Sequence, residues 1–309
     1  MKFIISVLLL LLFYTSDAQQ STDAYLFSYF KGNGEDGLHL AYSFDGLKWE
    51  ALKNDKSFLK PEVGHDKLMR DPCIISCPDG KFRMVWTVSW GERGIGYASS
   101  EDLIHWSEQK FIPVMEYEPD AKNCWAPEIF YDKKSEQYII LWATTIPGRF
   151  PETDKKGDDN YNHRLYCVTT KDFNTFSKTK LLYDKGFNVI DGTIISENGN
   201  YYLFLKDETR HPAKKNIRIA TSTELTGKYS VASEPITGRY WAEGPTVLKT
   251  GGYWIVYFDK YRKQKMGAVR SNDLKVWEDI SEQVEFPEGT RHGTVFKVKK
   301  ELVKNLKNY

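Results

Sequence analysis

The sequence LHLAYSFDGLKWEAL, residues 38–52, is the first of five related segments in this chain. The other four are IGYASSEDLIHWSEQ at 95–109, LYCVTTKDFNTFSKT at 165–179, IRIATSTELTGKYSV at 217–231 and MGAVRSNDLKVWEDI at 266–280. Each segment reads as an alternating apolar strand, a polar turn and an aromatic residue that begins a further extended stretch. A repeat of roughly 40 to 50 residues with several strands in each unit predicts a β-propeller.

Two other kinds of strand accompany each repeat. A strand rich in Tyr, Trp, Val and Ile comes before each segment and suits a position packed on both faces; these strands start at Tyr25, Phe82, Tyr138, Tyr201 and Tyr253. The third kind is shorter and comes earlier still: DPCII at 71–75, APEIF at 126–130, DGTII at 191–195, EGPTV at 243–247 and HGTVF at 292–296. We expect this third set to line a central channel.

The third kind of strand is missing before Tyr25, yet a spare copy stands at the C-terminus from His292. Pairing the C-terminal strand with the N-terminal strands completes a fifth blade and removes exposed sheet edges. We therefore predict an all-β fold, a five-bladed β-propeller closed in this way. No linker divides the chain, so residues 19–309 are expected to form a single catalytic domain.

Residues 1–18 read as a signal peptide, with Lys2 before an apolar run and small residues at 16–18. The apolar run is shorter than a membrane span. We therefore expect an exported protein, periplasmic or secreted in a bacterium, without a membrane anchor. The net charge of +1 gives no reason to expect nucleic acid or a membrane surface as a partner, and we expect a monomer.

The four cysteines do not suggest a disulfide framework. Cys73 and Cys77 lie on one predicted strand, which places their Cα atoms about 13 Å apart, too far for a bridge. Cys124 and Cys167 lack the spacing of a zinc site. We expect all four to be buried free thiols.

Aligning the channel strands by their apolar ends places ionisable residues in one equivalent position. The five members are Asp71, Ala126, Asp191, Glu243 and His292. Equivalent positions of a propeller converge on its axis, so three carboxylates and an imidazole are expected at one mouth of the channel. Like charges brought together share protons, bind a cation or perform acid and base chemistry. Glu128, two residues beyond Ala126, is expected to be a structural acid or part of an ion shell.

These dipeptides and their order resemble the blade signatures of glycoside hydrolase family 43, five-bladed propeller enzymes that remove arabinose, xylose or galactose from plant polysaccharides. The matching segments cover essentially the whole mature chain: Arg70-Asp71-Pro72, Trp125-Ala126-Pro127, Ile190-Asp191-Gly192, Glu243-Gly244-Pro245 and Arg291-His292-Gly293. The resemblance implies an inverting glycosidase in which Asp71 is the general base and Glu243 the general acid. Asp191 is then the third carboxylate, which raises the pKa of the acid and orients it. Inverting hydrolysis requires such an opposed pair of carboxyl groups.

The resemblance also implies a carbohydrate-binding role for several neighbouring residues. Arg291 is expected to reach sugar hydroxyls, Trp125 to form a wall of a sugar subsite, and Trp86 to contribute more weakly to the same wall. No cofactor is required, although His292 is expected to face a water or a structural calcium ion on the channel axis. Ordinary blade packing is the alternative for Trp125, and a hydrogen-bonded core histidine is the alternative for His292.

The sugar itself is left open by the sequence. We favour an exo-acting α-L-arabinofuranosidase that trims plant polysaccharides such as xylan, or their oligosaccharides. A β-xylosidase, an endo-xylanase or a β-galactosidase of the same family is the alternative, and a noncatalytic carbohydrate-binding propeller is the alternative from another class. An insertion at 146–163 is a candidate for the rim of the active site.

Overall fold

A computed structural model describes residues 22–309 of the chain. In this part of the chain nineteen β-strands form five sheets, which are the blades of a five-bladed β-propeller. The predicted fold class is therefore confirmed. The predicted signal peptide at 1–18 lies outside the described residues.

The strands follow one another blade by blade along the chain. The N-terminal strands are β1 (Asp23–Tyr29), β2 (His39–Ser43) and β3 (Glu50–Ala51). Blade one contains β4 (Arg70–Ser76), β5 (Phe82–Thr87), β6 (Ile95–Ser100) and β7 (Lys110–Ile112). Blade two contains β8 (Trp125–Asp132), β9 (Gln137–Thr145), β10 (His163–Thr170) and β11 (Lys180–Tyr183). Blade three contains β12 (Val189–Glu197), β13 (Asn200–Asp207) and β14 (Asn216–Ser222). Blade four contains β15 (Glu243–Thr250), β16 (Tyr253–Lys260), β17 (Lys265–Ser271) and β18 (Glu278–Asp279).

Blade five joins the two ends of the described chain. Its inner strand is β19 (Thr294–Lys299), which pairs antiparallel with β1 from Asp23↔Lys299 to Ser28↔Thr294. The sheet order is β19-β1-β2-β3, so the spare C-terminal strand supplies the missing inner strand. This confirms the predicted closure of the ring.

The polar turn of the repeated segment is held by one aspartate carboxylate. Asp45 Oδ1 accepts hydrogen bonds from the backbone N–H groups of Leu47 at 2.7 Å and Lys48 at 2.9 Å. Asp102, Asp172 and Asp273 make the same pair of bonds two and three residues ahead. A short acidic side chain that replaces backbone partners in this way favours a turn over a continued strand. The repeat is therefore a physical unit as well as a sequence pattern.

Apolar side chains of neighbouring blades form the core clusters. The repeat aromatic Trp49 is 4% exposed and stacks on Phe286 with ring centroids 5.4 Å apart. All four cysteines are buried and free, as predicted. Burial raises the pKa of the Cys124 thiol and keeps it protonated.

Residues 22–309 contain one α-helix, which the sequence patterns did not predict. Helix α1 (Lys300–Lys307) follows β19 directly, and its Val303 and Leu306 are buried against the cluster of blades five and one. Apolar residues spaced three apart form a stripe on one face of a helix. Three further stretches form single 3₁₀ turns: Lys53–Asp55, Pro151–Thr153 and Tyr261–Lys263.

Candidate active site

The inner strands of blades one to four share an irregularity at their start. Regular pairing with the next strand is interrupted after the first or second residue, at Arg70, Trp125, Ile190 and Glu243. The residue that follows has a positive φ in every case: 51° at Asp71, 46° at Ala126, 53° at Asp191 and 60° at Gly244. Non-glycine residues seldom adopt this conformation, and such strain is concentrated at functional sites. The fold therefore maintains this backbone shape where the inner strands begin.

The shared irregularity corrects the predicted alignment by one residue in blade four. Asp71, Ala126 and Asp191 are equivalent as predicted, but their counterpart is Gly244 and not Glu243. A Cβ atom at Gly244 would lie 2.3 Å from Cγ of His292, so only glycine fits there. Aligning the strands by their apolar ends could not reveal that the His292 ring, from another blade, leaves no room for a side chain at position 244. Glu243 is therefore presented from one position earlier than the two aspartates.

Asp71 is held as a carboxylate by its surroundings. Its Oδ1 lies 3.3 Å from Nδ1 of His292, and its Oδ2 accepts a hydrogen bond of 2.9 Å from the Thr87 hydroxyl. Burial raises the pKa of Asp71, but the charge and hydrogen bond of His292, together with Arg70 and Thr87, outweigh burial and hold the pKa at about 2. Asp71 is therefore ionised throughout the neutral range.

His292 is the cation of this buried group. Its side chain is 6% exposed. Burial lowers the pKa of His292, but the carboxylates of Asp71 and Asp191 raise it to about 9. The imidazolium is therefore the stable form at neutral pH.

Asp191 has the opposite electrostatic character to Asp71. It is 5% exposed, and its Oδ2 accepts a hydrogen bond of 3.0 Å from the backbone N–H of Gly244. Burial raises the pKa of Asp191 to about 6. The negative charge of Glu243 also raises this pKa, whereas the positive charge of His292 lowers it. A proton is therefore retained in this part of the site until the solution is nearly neutral.

Glu243 lies between two cations. Nζ of Lys206 donates to its Oε2 at 2.9 Å, and Nη2 of Arg291 lies 3.5 Å from its Oε1. Burial raises the pKa of Glu243, but Lys206 and then His292 and Arg291 lower it below the ordinary value. In the free protein the net shift of the Glu243 pKa is therefore downward, because of the buried ammonium group of Lys206, which the sequence patterns did not place here. The expectation that Asp191 raises this pKa stays a prediction.

Lys206 and Asp259 are two charged residues of the site that the sequence patterns did not reveal. Lys206 is opposite Ile190 in the pairing of β12 with β13, and Asp259 is opposite Glu243 in the pairing of β15 with β16. Each is a charged residue at the end of an otherwise apolar strand, YYLFLK at 201–206 and YWIVYFD at 253–259. A charged residue at this position of the second strand could have predicted a site residue, because antiparallel pairing places it beside the start of the inner strand.

Arg291 is anchored by Asp259. Its Nε donates to Oδ2 of Asp259 at 2.7 Å, while Oδ1 of the fully buried Asp259 has no hydrogen-bond partner among the described residues. Burial and the charge of Glu243 raise the pKa of Asp259 to about 6. Arg291 thus bridges two carboxyl groups, and its side chain remains 30% exposed.

An aromatic wall stands beside these carboxyl groups. The rings of Trp125 and Trp90 lie 5.3 Å apart and those of Trp125 and Tyr161 lie 4.7 Å apart. Trp90 is 45% exposed, and Trp125 is partly exposed. The structure contradicts the expected sugar contact of Trp86, which is 0% exposed and lies against Gly96 in the core. Trp86 lies on β5, the second strand of its blade, and the alternation of side chains along that strand directs its ring into the core.

The sequence profile of a family described as a probable glycosyl hydrolase domain, related to glycoside hydrolase family 43, matches residues 20–303. The chain belongs to this family. The expected class of enzyme, a glycosidase of family-43 type, is thereby confirmed at the level of the family.

One curated relative of this family-43-related domain is an α-L-arabinofuranosidase of Bifidobacterium longum subsp. longum. It is 27% identical over 185 residues, which are 52% of this chain and 17% of the relative. The chain therefore spans less than a fifth of that protein. The match agrees with the family, and the activity in its name belongs to the larger protein.

Solved structures share the fold of this family-43-related domain. An α-L-arabinofuranosidase from Lactobacillus brevis has a TM-score of 0.54 at 18% identity, over 68% of this chain and 72% of that chain. A family-43 protein from Bacillus licheniformis has a TM-score of 0.53 at 22% identity, over 68% and 41%. An exo-β-1,3-galactanase from Phanerochaete chrysosporium has a TM-score of 0.53 at 13% identity, over 68% and 49%. At these identities the similarity establishes the propeller alone.

The channel axis of this family-43-related domain does not offer a set of direct metal ligands. Among residues 22–309, no three side chains of His, Cys, Asp or Glu lie close enough together to hold a metal ion. His292 is protonated at neutral pH, and a cationic imidazolium does not ligate a metal. Glu128 instead accepts hydrogen bonds from Cys73 at 3.2 Å and Thr294 at 3.0 Å, and burial raises its pKa to about 7. The expected calcium ion, which would contact His292 through water, stays a prediction.

Glu243 also lines a cavity of about 440 Å³ on the side of blades three and four. Asp158, from the insertion predicted as a rim, lines the same cavity. No helix among the described residues is both long and apolar enough to cross a membrane.

Proposed function

We propose that this domain hydrolyses glycosidic bonds with inversion and that Asp71 is the general base, Glu243 the general acid and Asp191 the partner that shares the acid's proton. The single observation that carries the proposal is the opposite electrostatic state of these buried carboxyl groups. His292 keeps Asp71 ionised, whereas Asp191 beside Glu243 holds a proton up to about pH 6. Neighbouring carboxyl groups whose surroundings push their pKa values in opposite directions are typical of an acid and base pair.

In the proposed reaction, Asp71 removes a proton from a water molecule as the water oxygen attacks the anomeric carbon. The bond from that carbon to the leaving oxygen breaks, and Glu243 gives its proton to that oxygen. The net change is the addition of one water across the glycosidic bond. Glu243 must be protonated before each turnover, and Asp191 is the nearby group that holds a proton in the free protein.

We propose a terminal α-L-arabinofuranose as the sugar that is removed. The similarity to an enzyme named α-L-arabinofuranosidase supports this choice over β-xylose and β-galactose. Trp125, Trp90 and Tyr161 supply apolar faces suited to a sugar ring, and Arg291 supplies hydrogen-bond donors. Action on plant polysaccharides such as xylan, export from the cell and a monomeric state stay predictions.

The test is a panel of 4-nitrophenyl glycosides of α-L-arabinofuranose, β-D-xylopyranose and β-D-galactopyranose. We expect release of nitrophenol from the arabinofuranoside by the wild type and its loss in Asp71→Asn. If only the xyloside or the galactoside is hydrolysed, the proposed sugar is wrong and the proposed mechanism still stands. Sugar binding without hydrolysis of any member, or of natural oligosaccharides, would favour a noncatalytic carbohydrate-binding propeller.

A further inference from the structure

The cavity beside Glu243 is lined almost entirely by charged and aromatic side chains. Its lining consists of Asp158, Lys206, Glu208, Arg210, Trp241, Glu243, Tyr261 and Arg262. A pocket for a neutral pentose needs hydroxyl contacts and an apolar face, and it does not need several cations. The charge content of this cavity therefore calls for an explanation of its own.

Three carboxylates of the cavity are already neutralised by cations in contact with them. Lys206 is 2.6 Å from Glu208 and 2.9 Å from Glu243. Lys215 pairs with Asp158 and Glu208, and Arg210 lies 3.1 Å from Asp158. Lys206 and Lys215 are each no more than 2% exposed, so these pairs are permanent parts of the wall.

Arg262 stands apart from these pairs. Within residues 22–309 it has no carboxylate partner, and its guanidinium group lies 4.6 Å from the centre of the Trp241 ring. Arg262 is exposed to the cavity, and Trp241 is partly exposed beside it. Arg262 is thus the cation of the lining that lacks a carboxylate partner among the described residues, and the Trp241 ring beside it also has Arg210 and Lys215 at 5.0 and 5.7 Å from its centre.

The position of the cavity identifies its place in the reaction. Glu243 lines it, whereas Asp71 does not. In the proposed inverting reaction the acid protonates the leaving oxygen, and the base lies on the opposite face of the sugar that is removed. A cavity on the side of the acid therefore receives the leaving group.

Resting on the proposed function, we propose that this leaving-group subsite recognises a uronic acid. Its carboxylate pairs with Arg262, and its ring lies beside the Trp241 and Arg262 pair. A planar guanidinium matches a carboxylate with two parallel hydrogen bonds. The substrate is then a glycan in which the removed sugar is attached to an acidic sugar.

The test measures binding without turnover. Tryptophan fluorescence titration compares the methyl glycoside of D-glucuronic acid with its methyl ester, which has no carboxylate, and with methyl glucoside. We expect the acid to bind at least about tenfold more tightly than the ester, the contribution of one charge-assisted pair. Arg262→Gln should remove this difference, while Arg270→Gln, a variant of a partly exposed arginine paired with Glu278, should retain it.

Equal binding of acid and ester, or a preference that survives Arg262→Gln, would overturn the subsite. Equal binding of a sugar sulfate, methyl galactoside 6-sulfate, would overturn the assignment of a carboxylate. A failed glycoside panel together with a charge preference that depends on Arg262 would instead disprove hydrolysis and leave the subsite in place. The two proposals therefore fail separately.

Discussion

Nζ of Lys206 lies 2.9 Å from Oε2 of Glu243, and the lysine is buried. This ion pair opposes the protonation that a general acid requires. The proposed acid is therefore active only when the Asp191 and Glu243 pair as a whole retains a proton.

The first prediction concerns the pH dependence of Lys206→Met. A general acid must be protonated to act. The kcat/KM of the wild type should therefore be highest below the pKa of the Asp191 and Glu243 pair, and it should fall as the pH rises above about 6. Removing the ammonium group raises the pKa of Glu243, and the alkaline limb should move up by about one pH unit. Lys215→Met is the control, since Lys215 is buried in the same cluster without contacting Glu243. Equal shifts in both variants would contradict the role of this ion pair.

The second prediction separates the acid from the base by leaving group. Glu243→Gln should lower kcat/KM on natural glycosides by about 10² to 10⁴, and much less on dinitrophenyl glycosides, which need little protonation. Asp71→Asn should suppress both, because water is no longer activated. Rates of both variants on both substrates decide the matter. The same leaving-group dependence in the two variants would show that the roles are misassigned.

The third prediction is stereochemical. If Asp71 activates water, the sugar is released with inverted anomeric configuration. Proton NMR of the first product, recorded before mutarotation, reports the configuration directly. A retained anomer would make Asp71 a nucleophile and leave the fold unaffected.

The fourth prediction concerns Gly244→Ala. The added Cβ would meet the His292 ring at 2.3 Å, so the imidazolium should be displaced from Asp71 and activity should fall by at least about tenfold. Gly80→Ala is the matched control, since Gly80 has a φ of +81° and no atom within 4 Å of an added Cβ. Both variants bear the backbone cost of about 1 kcal/mol, and only Gly244→Ala bears the clash. Urea unfolding and kcat of the two variants measure this difference, and equal activities would contradict it.

The fifth prediction concerns stability at alkaline pH. The pKa of His292 rises from 6.5 to about 9 on folding, so its charge stabilises the folded state fully below pH 6.5. This contribution is lost as the pH rises to about 9, and it is on the order of 3 kcal/mol. The free energy of unfolding from urea titrations should fall over this range in the wild type and be flatter in His292→Gln. Parallel pH profiles of the two proteins would disprove the linkage.

The fold could be predicted because its signals are local and recur. Strand alternation, the polar turns and the aromatic residues return five times, and the spare strand from His292 has one natural partner. Helix α1 was missed because a single two-turn helix has no second copy in the sequence. Its apolar spacing is visible only when the C-terminal residues are considered by themselves.

The site could be predicted only in part. Asp71 and Asp191 were placed in one position because their strands align along the chain. Gly244 and Lys206 depend on side chains of other blades that arrive from distant parts of the sequence. The charge state of Glu243 depends on the same contacts, so no local pattern reveals it.

The pairing of β1 with β19 also sets the order of events during synthesis. The strand that begins at Asp23 leaves the ribosome well before its partner, which ends at Lys299. Until then one edge of β1 has no neighbour, and the ring cannot close. An interrupted chain therefore keeps an open seam, which exposes it to proteases and to aggregation. The closure therefore makes the folding of the N-terminal strands depend on the synthesis of β19.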